Sequence, residues 1–336
     1  MAVNNDTQYA YAVARIRAIE RKLLDKSKID RMVDARSPEE ALKVLTDAEY
    51  GYSAGEISSV YEYEQLLREE HKKVYKLLKE IAPQPEVFDL FLVRNDYHNA
   101  KVILKAEFLG QDFDELLTDT GSIPATKLKI MIKDRNMSDM PVIMQKAIEE
   151  CIDTFNRTGD PQVIDLILDK ASFRQMKETA ERSKVKFVID LVEILIDLAN
   201  IKTFLRVKRL KKSWDFLNKI LIPGGRIDLK VFVQKLEEPL EGFVEALRYT
   251  PYGVFCEEGI ENFKSTGNLT NFEKLSDDFV ISFIKKAKYV SLGIEPLVGY
   301  LMAKENEIKI ARIIMVGKIN NISNEIIRER LREAYV

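Results

Sequence analysis

The sequence predicts an all-α protein, and three observations support this fold class. Hydrophobic residues make up 46% of the 336 residues and charged residues 32%, with only 14 Gly and 10 Pro, which is typical of a chain rich in helix formers. No alternation of apolar and polar residues between hairpin signals indicates a β-strand. One helical segment also occurs in three related copies. At about 150 residues per domain, the length allows two or three domains.

Capping signals predict where the first helices begin and end. In "SPEE" (37–40), Ser37 is placed as an N-cap and Glu40 three residues later completes a capping box, so a short helix starts here. Residues 56–82 are predicted to form one long helix that ends before Pro83. The chain is expected to become helical again after Pro85.

Later boundaries follow the same rules. Asp160 and Pro161 predict the start of another helix, and Ser323 that of the last one. The segment "IPGGRID" (222–228) is interpreted as a turn between two helices because it is rich in turn residues.

The helical segment that recurs defines three copies. Copy 1 is "DYHNAKVILKAE" (96–107) and copy 2 is "DLANIKTFLRVK" (197–208), 101 residues later without a gap. Copy 3 is "EIKIARIIMVGK" (307–318), a further 110 residues on. Copy 3 departs from the pattern at Ile310, which replaces the Asn, and at Val316, which replaces a base.

Each copy repeats one apolar seam at helical spacing, which predicts the same buried face three times. Val93, Tyr97, Ala100 and Leu104 form it in copy 1, and Ile194, Leu198, Ile201 and Leu205 form it in copy 2. Copy 3 keeps Ile308, Ala311 and Met315, but Lys304 occupies the first position.

Charged and amide residues flank these seams, and two interpretations remain open. In one, each meets a partner on a neighbouring helix at the edge of the core. In the other, some of them form a shared binding surface. The candidate partner-binding residues are Asp96, Asn99, Lys101, Asp197, Asn200, Lys202, Arg206, Lys208, Arg209, Glu307 and Arg312.

Charge and composition exclude several classes of protein. The net charge of -2 gives no overall attraction to nucleic acid. Cys151 and Cys256 lie far apart, which favours a reducing compartment over a disulfide framework. The N-terminal residues show no leader or lipidation signal. The most apolar run, "FVIDLVEILIDLANI", contains three carboxylates and is shorter than the ~20 apolar residues of a membrane span.

No motif predicts catalysis, a cofactor or a metal. "GYSAG" (51–55) matches a nucleophile elbow, but a helix rather than a strand is predicted before it, so a helix end closed by glycine is favoured. "VGKIN" lacks the Ser or Thr and the earlier Gly of a phosphate-binding loop. His71 and His98 form no zinc motif and are expected to be ordinary residues of helices.

The densest charge is basic: "KTFLRVKRLKK" (202–212) has six basic residues in eleven. It is interpreted either as a docking patch for an acidic partner, anionic lipid or nucleic acid, or as a solvated helix end where cations favour the helix dipole.

The C-terminal segment "PLVGYLMAKENEIKIARIIMVGKINNISNEIIRERLREAYV" resembles the C-terminus of the C subunit of bacterial and archaeal rotary A/V-type ATPases, which is the counterpart of the d subunit of eukaryotic V-ATPases. "DLANIKTFLRVK" is similar to that family's central repeat, and "YAYAVARIRAIERKLL" to its N-terminal helix.

The resemblance implies a pseudo-threefold funnel of three helical domains, approximately residues 1–120, 121–225 and 226–336. It also implies a non-catalytic central-stalk subunit without a cofactor, peripheral on the cytoplasmic side of the membrane. Its partners would be the central-shaft subunits and the membrane rotor ring, not nucleic acid. The alternative is a helical scaffold that binds an acidic partner or nucleic acid through residues 202–212.

Overall fold

A computed structural model describes residues 6–50 and 59–336 of the chain. The prediction of an all-α fold is confirmed, since the described residues form helices, turns and loops without a β-strand. The "GYSAG" motif at 51–55 lies outside the described residues.

The helices up to the second copy of the repeat are α1 (Ala10–Ile19), α2 (Lys26–Asp34), α3 (Pro38–Asp47), α4 (Tyr63–Ile81), α5 (Asp89–Leu109), α6 (Ala125–Lys133), α7 (Val142–Thr158), α8 (Gln162–Ser183) and α9 (Lys186–Arg209). The remaining helices are α10 (Trp214–Ile220), α11 (Leu229–Gln234), α12 (Leu240–Leu247), α13 (Gly253–Thr266), α14 (Thr270–Ile284), α15 (Glu295–Ile319) and α16 (Asn324–Arg330). Copies 1, 2 and 3 of the repeat lie on α5, α9 and α15.

The helix boundaries agree with the capping signals at several positions. The Ser37 hydroxyl accepts a hydrogen bond from the Glu40 amide at 3.2 Å, but the Glu40 carboxylate bonds the amide of Arg36 rather than that of Ser37. The predicted helices after Asp160 and Ser323 are confirmed as α8 and α16.

Residues 56–58 of the helix predicted over 56–82 lie outside the described residues, and the described part differs from the prediction at its start. A short 3-10 turn occupies Val60–Glu62, and the α-helix starts at Tyr63. The Ser59 hydroxyl accepts a hydrogen bond from the Tyr61 amide, so the capping residue precedes the turn rather than the helix itself.

The chain divides into two compact units, one formed by Met1–Pro85 with Val244–Val336 and one formed by Glu86–Phe243. In the second unit, α5 packs against α6 and α8, α7 packs along α8, and α8 packs on α9. Apolar seam residues of copies 1 and 2 are fully or almost fully buried there, as predicted. The division into three domains within a funnel stays a prediction.

In the first unit, α15 is the central helix. It contacts α1, α2, α3, α4, α14 and α16, and residues around its whole circumference are buried. Ile308, Ala311 and Met315 of the copy 3 seam are at most 6% exposed. Its exposed residues, Lys309, Arg312 and Val316, form a narrow stripe, unlike the broad polar face of a surface helix.

The three helices that carry the repeat, α5, α9 and α15, end in the same way. Gly110, Lys211 and Asn321, which are again 101 and 110 residues apart, have positive φ angles of 61°, 51° and 53°. The next residue after each donates its amide to the carbonyl five residues before it: Gln111 to Ala106, Lys212 to Val207 and Ile322 to Gly317. This is a Schellman ending, and it shows that the repeat extends beyond the helical segment.

Candidate functional site

In copy 1, the acid and the amide hold the loop that follows α5. Asp96 is 2% exposed, and its carboxylate accepts hydrogen bonds from the Ile123 amide at 2.9 Å and the Ser122 hydroxyl at 2.5 Å. Asn99 bonds both the carbonyl and the amide of Thr118, at 2.8 and 2.9 Å. Burial raises the pKa of Asp96, although these hydrogen bonds oppose the shift. We call this arrangement the loop clamp.

Copy 2 repeats the loop clamp. The buried Asp197 carboxylate accepts hydrogen bonds from the amides of Arg226 and Ile227 at 3.0 and 3.1 Å. Asn200 bonds the carbonyl and the amide of Ile222, both at 2.8 Å. The loop is the predicted "IPGGRID" turn, which is confirmed between α10 and α11.

A glycine permits the close approach in both loops. A Cβ atom at Gly121 would overlap the carboxylate of Asp96, and one at Gly225 would overlap that of Asp197. The φ angle is positive at neither residue, so the lack of a side chain, not backbone freedom, is what the site requires here.

In copy 3 the equivalent acid holds the N-terminal part of the chain. The Glu307 carboxylate, 4% exposed, accepts hydrogen bonds from the backbone amide of Leu24 and the hydroxyl of Tyr50. Leu24 lies two residues before the start of α2, just as Ile123 and Ile227 lie two residues before α6 and α11. The N-terminal segment therefore takes the place that the following loop takes in copies 1 and 2.

A buried ammonium group joins this third clamp. The Lys304 Nζ atom lies 2.7 Å from Glu307 and 2.9 Å from Glu70 of α4, and each of the three side chains is 5% exposed. The same ammonium lies 4.6 Å from the centre of the Tyr50 ring. Burial alone lowers the pKa of Lys304, but the Glu307 and Glu70 carboxylates raise it above its usual value. We call Lys304, Glu70, Glu307 and Tyr50 the buried charge cluster.

Sequence reasoning missed this cluster because it treated Lys304 as an interruption of the apolar seam. An available signal was the pair of Lys304 and Glu307, three residues apart on one helix. Glu70 has no such signal, since it stands on another helix more than 200 residues earlier in the chain.

Two predicted bases pair with a neighbouring helix at the edge of the core, and a third bonds a loop. Lys101 of α5 bonds Asp169 of α8 at 2.5 Å, and Arg312 of α15 bonds Glu64 of α4 at 2.7 Å. On α9, the Lys208 ammonium donates to the carbonyls of Leu236 and Glu238. The first interpretation of the flanking charges thus describes Lys101 and Arg312, whereas Lys208 bonds the loop between α11 and α12.

The other predicted bases on α9 lie toward solvent. Lys202 is half-buried, whereas Arg206 and Arg209 are exposed. Lys202 and Arg206 also take part in interactions within the chain. Partner binding by any of the predicted residues stays a prediction.

The groups that could carry chemistry are few in the described part of the chain. Burial raises the pKa of both thiols, Cys151 and Cys256, to about 12, so neither is an activated nucleophile. Within residues 6–50 and 59–336, no three His, Cys, Asp or Glu side chains come together as a metal site. None of the helices described combines the length and apolar character needed to cross a bilayer.

Comparison with known proteins gives a match along almost the whole chain. Residues 12–330 match the model of the ATP synthase (C/AC39) subunit family. The C subunit of the V-type sodium ATPase of Enterococcus hirae is 28% identical over 95% of this chain and 97% of that protein. The C subunit of the A-type ATP synthase of Methanocaldococcus jannaschii is also 28% identical, over 96% of this chain and 86% of that protein. Its equivalent in Methanosphaera stadtmanae is 25% identical over 92% of this chain and 84% of that protein.

Proposed function

Because the chain belongs to the ATP synthase (C/AC39) subunit family, we propose that it is a non-catalytic central-stalk subunit of a rotary ATPase, which couples the rotating shaft to the membrane rotor ring. The observation that carries this proposal is the family match over residues 12–330 of the 336. The match covers all three copies of the repeat. The family assignment therefore applies to almost the whole chain and not to a single domain.

The loop clamps suit a part that transmits torque. A coupling subunit must keep its helices fixed while a force acts on it, and buried polar groups that are fully hydrogen-bonded fix relative positions more specifically than apolar contacts alone. Asp96, Asp197 and Glu307 each join a long helix to backbone amides elsewhere in the chain. We assign these three acids, with Asn99 and Asn200, an indirect role in holding the helices together.

Direct contact with partners is assigned to predicted residues that retain exposure. Arg206 and Arg209 on α9 are exposed. Arg312 is paired with Glu64, but both side chains of this pair are more than one-third exposed, so a partner could reach them. The location that this role implies is the cytoplasmic side of the membrane, where the chain would be a peripheral membrane protein.

The alternative role, a scaffold for acidic proteins or nucleic acid, receives no support from the comparisons. The family model and the relatives cover the basic run 202–212 as part of an ATPase subunit. We therefore do not propose it.

Reconstitution of the rotary complex tests the coupling role. Complexes assembled without this chain should hydrolyse ATP but fail to move ions, and adding the purified chain back should restore ion movement. Unimpaired ion transport in its absence would exclude the proposed role.

A further inference from the structure

The end of α9 and the turn after it form a strongly basic surface. Residues 202–219 contain seven basic residues and one acid, in a chain whose net charge is -2. Arg206 and Arg209 are exposed, and so are Lys211 and Lys212 in the turn. On the helix, Lys202, Arg206 and Arg209 fall within one narrow stripe, because residues three or four apart share a face.

Two large exposed apolar side chains lie at the end of α9 and the start of α10, next to these bases in the chain. Leu210 is 64% exposed and Trp214 58% exposed. Trp214 is the only tryptophan of the chain. We call Arg206, Arg209, Leu210, Lys211, Lys212 and Trp214 the α9 basic face.

The fold itself does not require this charge, as the other two copies show. The aligned segment of copy 1, 101–118, has two bases and four acids, and that of copy 3, 312–329, has three bases and two acids. All three long helices nevertheless have the same Schellman ending. Lys208 bonds two backbone carbonyls and Lys219 pairs with Asp215, but the remaining excess of positive charge is specific to copy 2 and is not required by the ending that the three copies share.

We propose that the α9 basic face binds a surface of anionic lipid head groups. Each Lys or Arg close to an anionic leaflet contributes about 1 kcal/mol, and Trp favours the level of the head groups. Leu210 gains apolar contact at the boundary with the acyl chains, whereas a phosphodiester backbone provides no such contact. The inference rests on the proposed function and extends it by naming what Arg206 and Arg209 contact.

Binding of the full-length chain to vesicles tests this inference without the rest of the complex. The vesicles contain either phosphatidylcholine alone or equimolar phosphatidylcholine and phosphatidylglycerol. We expect the chain to sediment with the anionic vesicles only, and we expect added salt to weaken this binding. The Trp214 emission should shift to shorter wavelength and be quenched by lipids with brominated acyl chains, because no other tryptophan contributes.

Substitutions taken from copy 1 remove charge while keeping the backbone. Lys211→Gly and Lys212→Gln introduce the residues found at Gly110 and Gln111, and glycine suits the positive φ of 51° at Lys211. The double variant should bind anionic vesicles about thirtyfold more weakly, from about 1 kcal/mol per base. The matched control removes two exposed bases elsewhere in the same unit, Lys127→Gln with Lys186→Gln, and should bind as the unmodified chain does.

Three results would overturn the inference. One is the absence of binding to the anionic vesicles, and another is equal weakening in the double variant and the control. The third is that poly-glutamate competes as well as the vesicles while Trp214 emission stays unchanged, which would assign the face to an acidic protein segment. None of these results affects the outcome of the reconstitution test. The lipid contact can therefore be disproved while the coupling role stands, and the reverse.

Discussion

Glu307, near the middle of α15, accepts a hydrogen bond from the backbone amide of Leu24, a residue 283 positions earlier in the chain. Asp96 and Asp197 make the corresponding bond to a loop 27 and 30 residues ahead of them. The third copy of the repeat is therefore completed by the beginning of the chain. The longer side chain of Glu, compared with Asp, also allows it to contact Tyr50 and Lys304.

The first prediction concerns the buried charge cluster. Glu307→Gln should lower the free energy of unfolding by about 3 kcal/mol, because Lys304 would keep only Glu70 as a charged partner in a site shielded from water. Thermal or denaturant unfolding measures the change.

Arg312→Ala is its control on the same helix. The Arg312 and Glu64 side chains are 45% and 37% exposed. Loss of their ion pair should therefore lower the free energy of unfolding by at most about 1 kcal/mol. Equal costs for the two substitutions would mean that burial does not set the strength of these contacts.

The second prediction concerns the glycine in the loop of copy 2. Gly225→Ala should destabilise the protein by about 2 kcal/mol, because the new methyl group overlaps the Asp197 carboxylate and forces the loop away. In an Asp197→Ala background the clash is absent, so the added cost of Gly225→Ala should largely disappear. A double-mutant cycle measures this coupling, which we expect to exceed about 1 kcal/mol.

Gly159 provides the comparison for that cycle. It ends α7 with a φ angle of 65° and has open space around it, so Gly159→Ala costs about 1 kcal/mol through the backbone alone. Its cost should be unaffected by Asp197→Ala. The account of Gly225 is wrong if the two glycines respond alike to that background.

The third prediction is a dependence of stability on pH that arises from His71. Burial lowers the pKa of His71 to about 4, and the Arg312 cation adds to the shift. Glu305, 3.8 Å from the His71 ring, acts in the opposite direction, but its carboxylate also accepts a hydrogen bond from Tyr75 at 2.6 Å. Burial therefore prevails, and the folded protein keeps the imidazole neutral.

Because the folded pKa lies below the usual 6.5, the unfolded chain binds a proton first as the pH falls. Stability is complete above about pH 6.5 and is lost between about pH 6.5 and pH 4, by about 2 to 3 kcal/mol. His71→Gln should remove this loss, and His98→Gln, at the exposed second histidine, should not. Unfolding curves measured between about pH 6.5 and pH 4 give the stability of each variant. The same dependence of stability on pH in both variants would show that His71 is not its source.

Sequence reasoning identified the fold class and the repeat because these depend on local signals. Helix propensity, capping residues and the apolar seam all act within a few residues of one another. The seam residues Tyr97, Leu198 and Ala311 are buried as expected.

The clamps could not be predicted in the same way. The acid of each copy and the amide of copies 1 and 2 were recognised as a pattern, but most of their partners are backbone amides and carbonyls, which carry no sequence signal. The partner of Glu307 also lies near the opposite end of the chain, so no spacing along the sequence indicates it. Gly121 and Gly225, each four residues before a helix start, are local signals of a close approach that could have been used.

The most direct test of the central claim is a covalent bond between this chain and the rotor ring in the intact complex. Both native thiols are buried and have raised pKa values, so a cysteine introduced on an exposed residue is the reactive one. If the chain turns with the ring as a coupling subunit, crosslinked complexes should retain ATP-driven ion transport at the rate of uncrosslinked ones. Loss of transport on crosslinking would show that the two parts move against each other, and it would contradict the account.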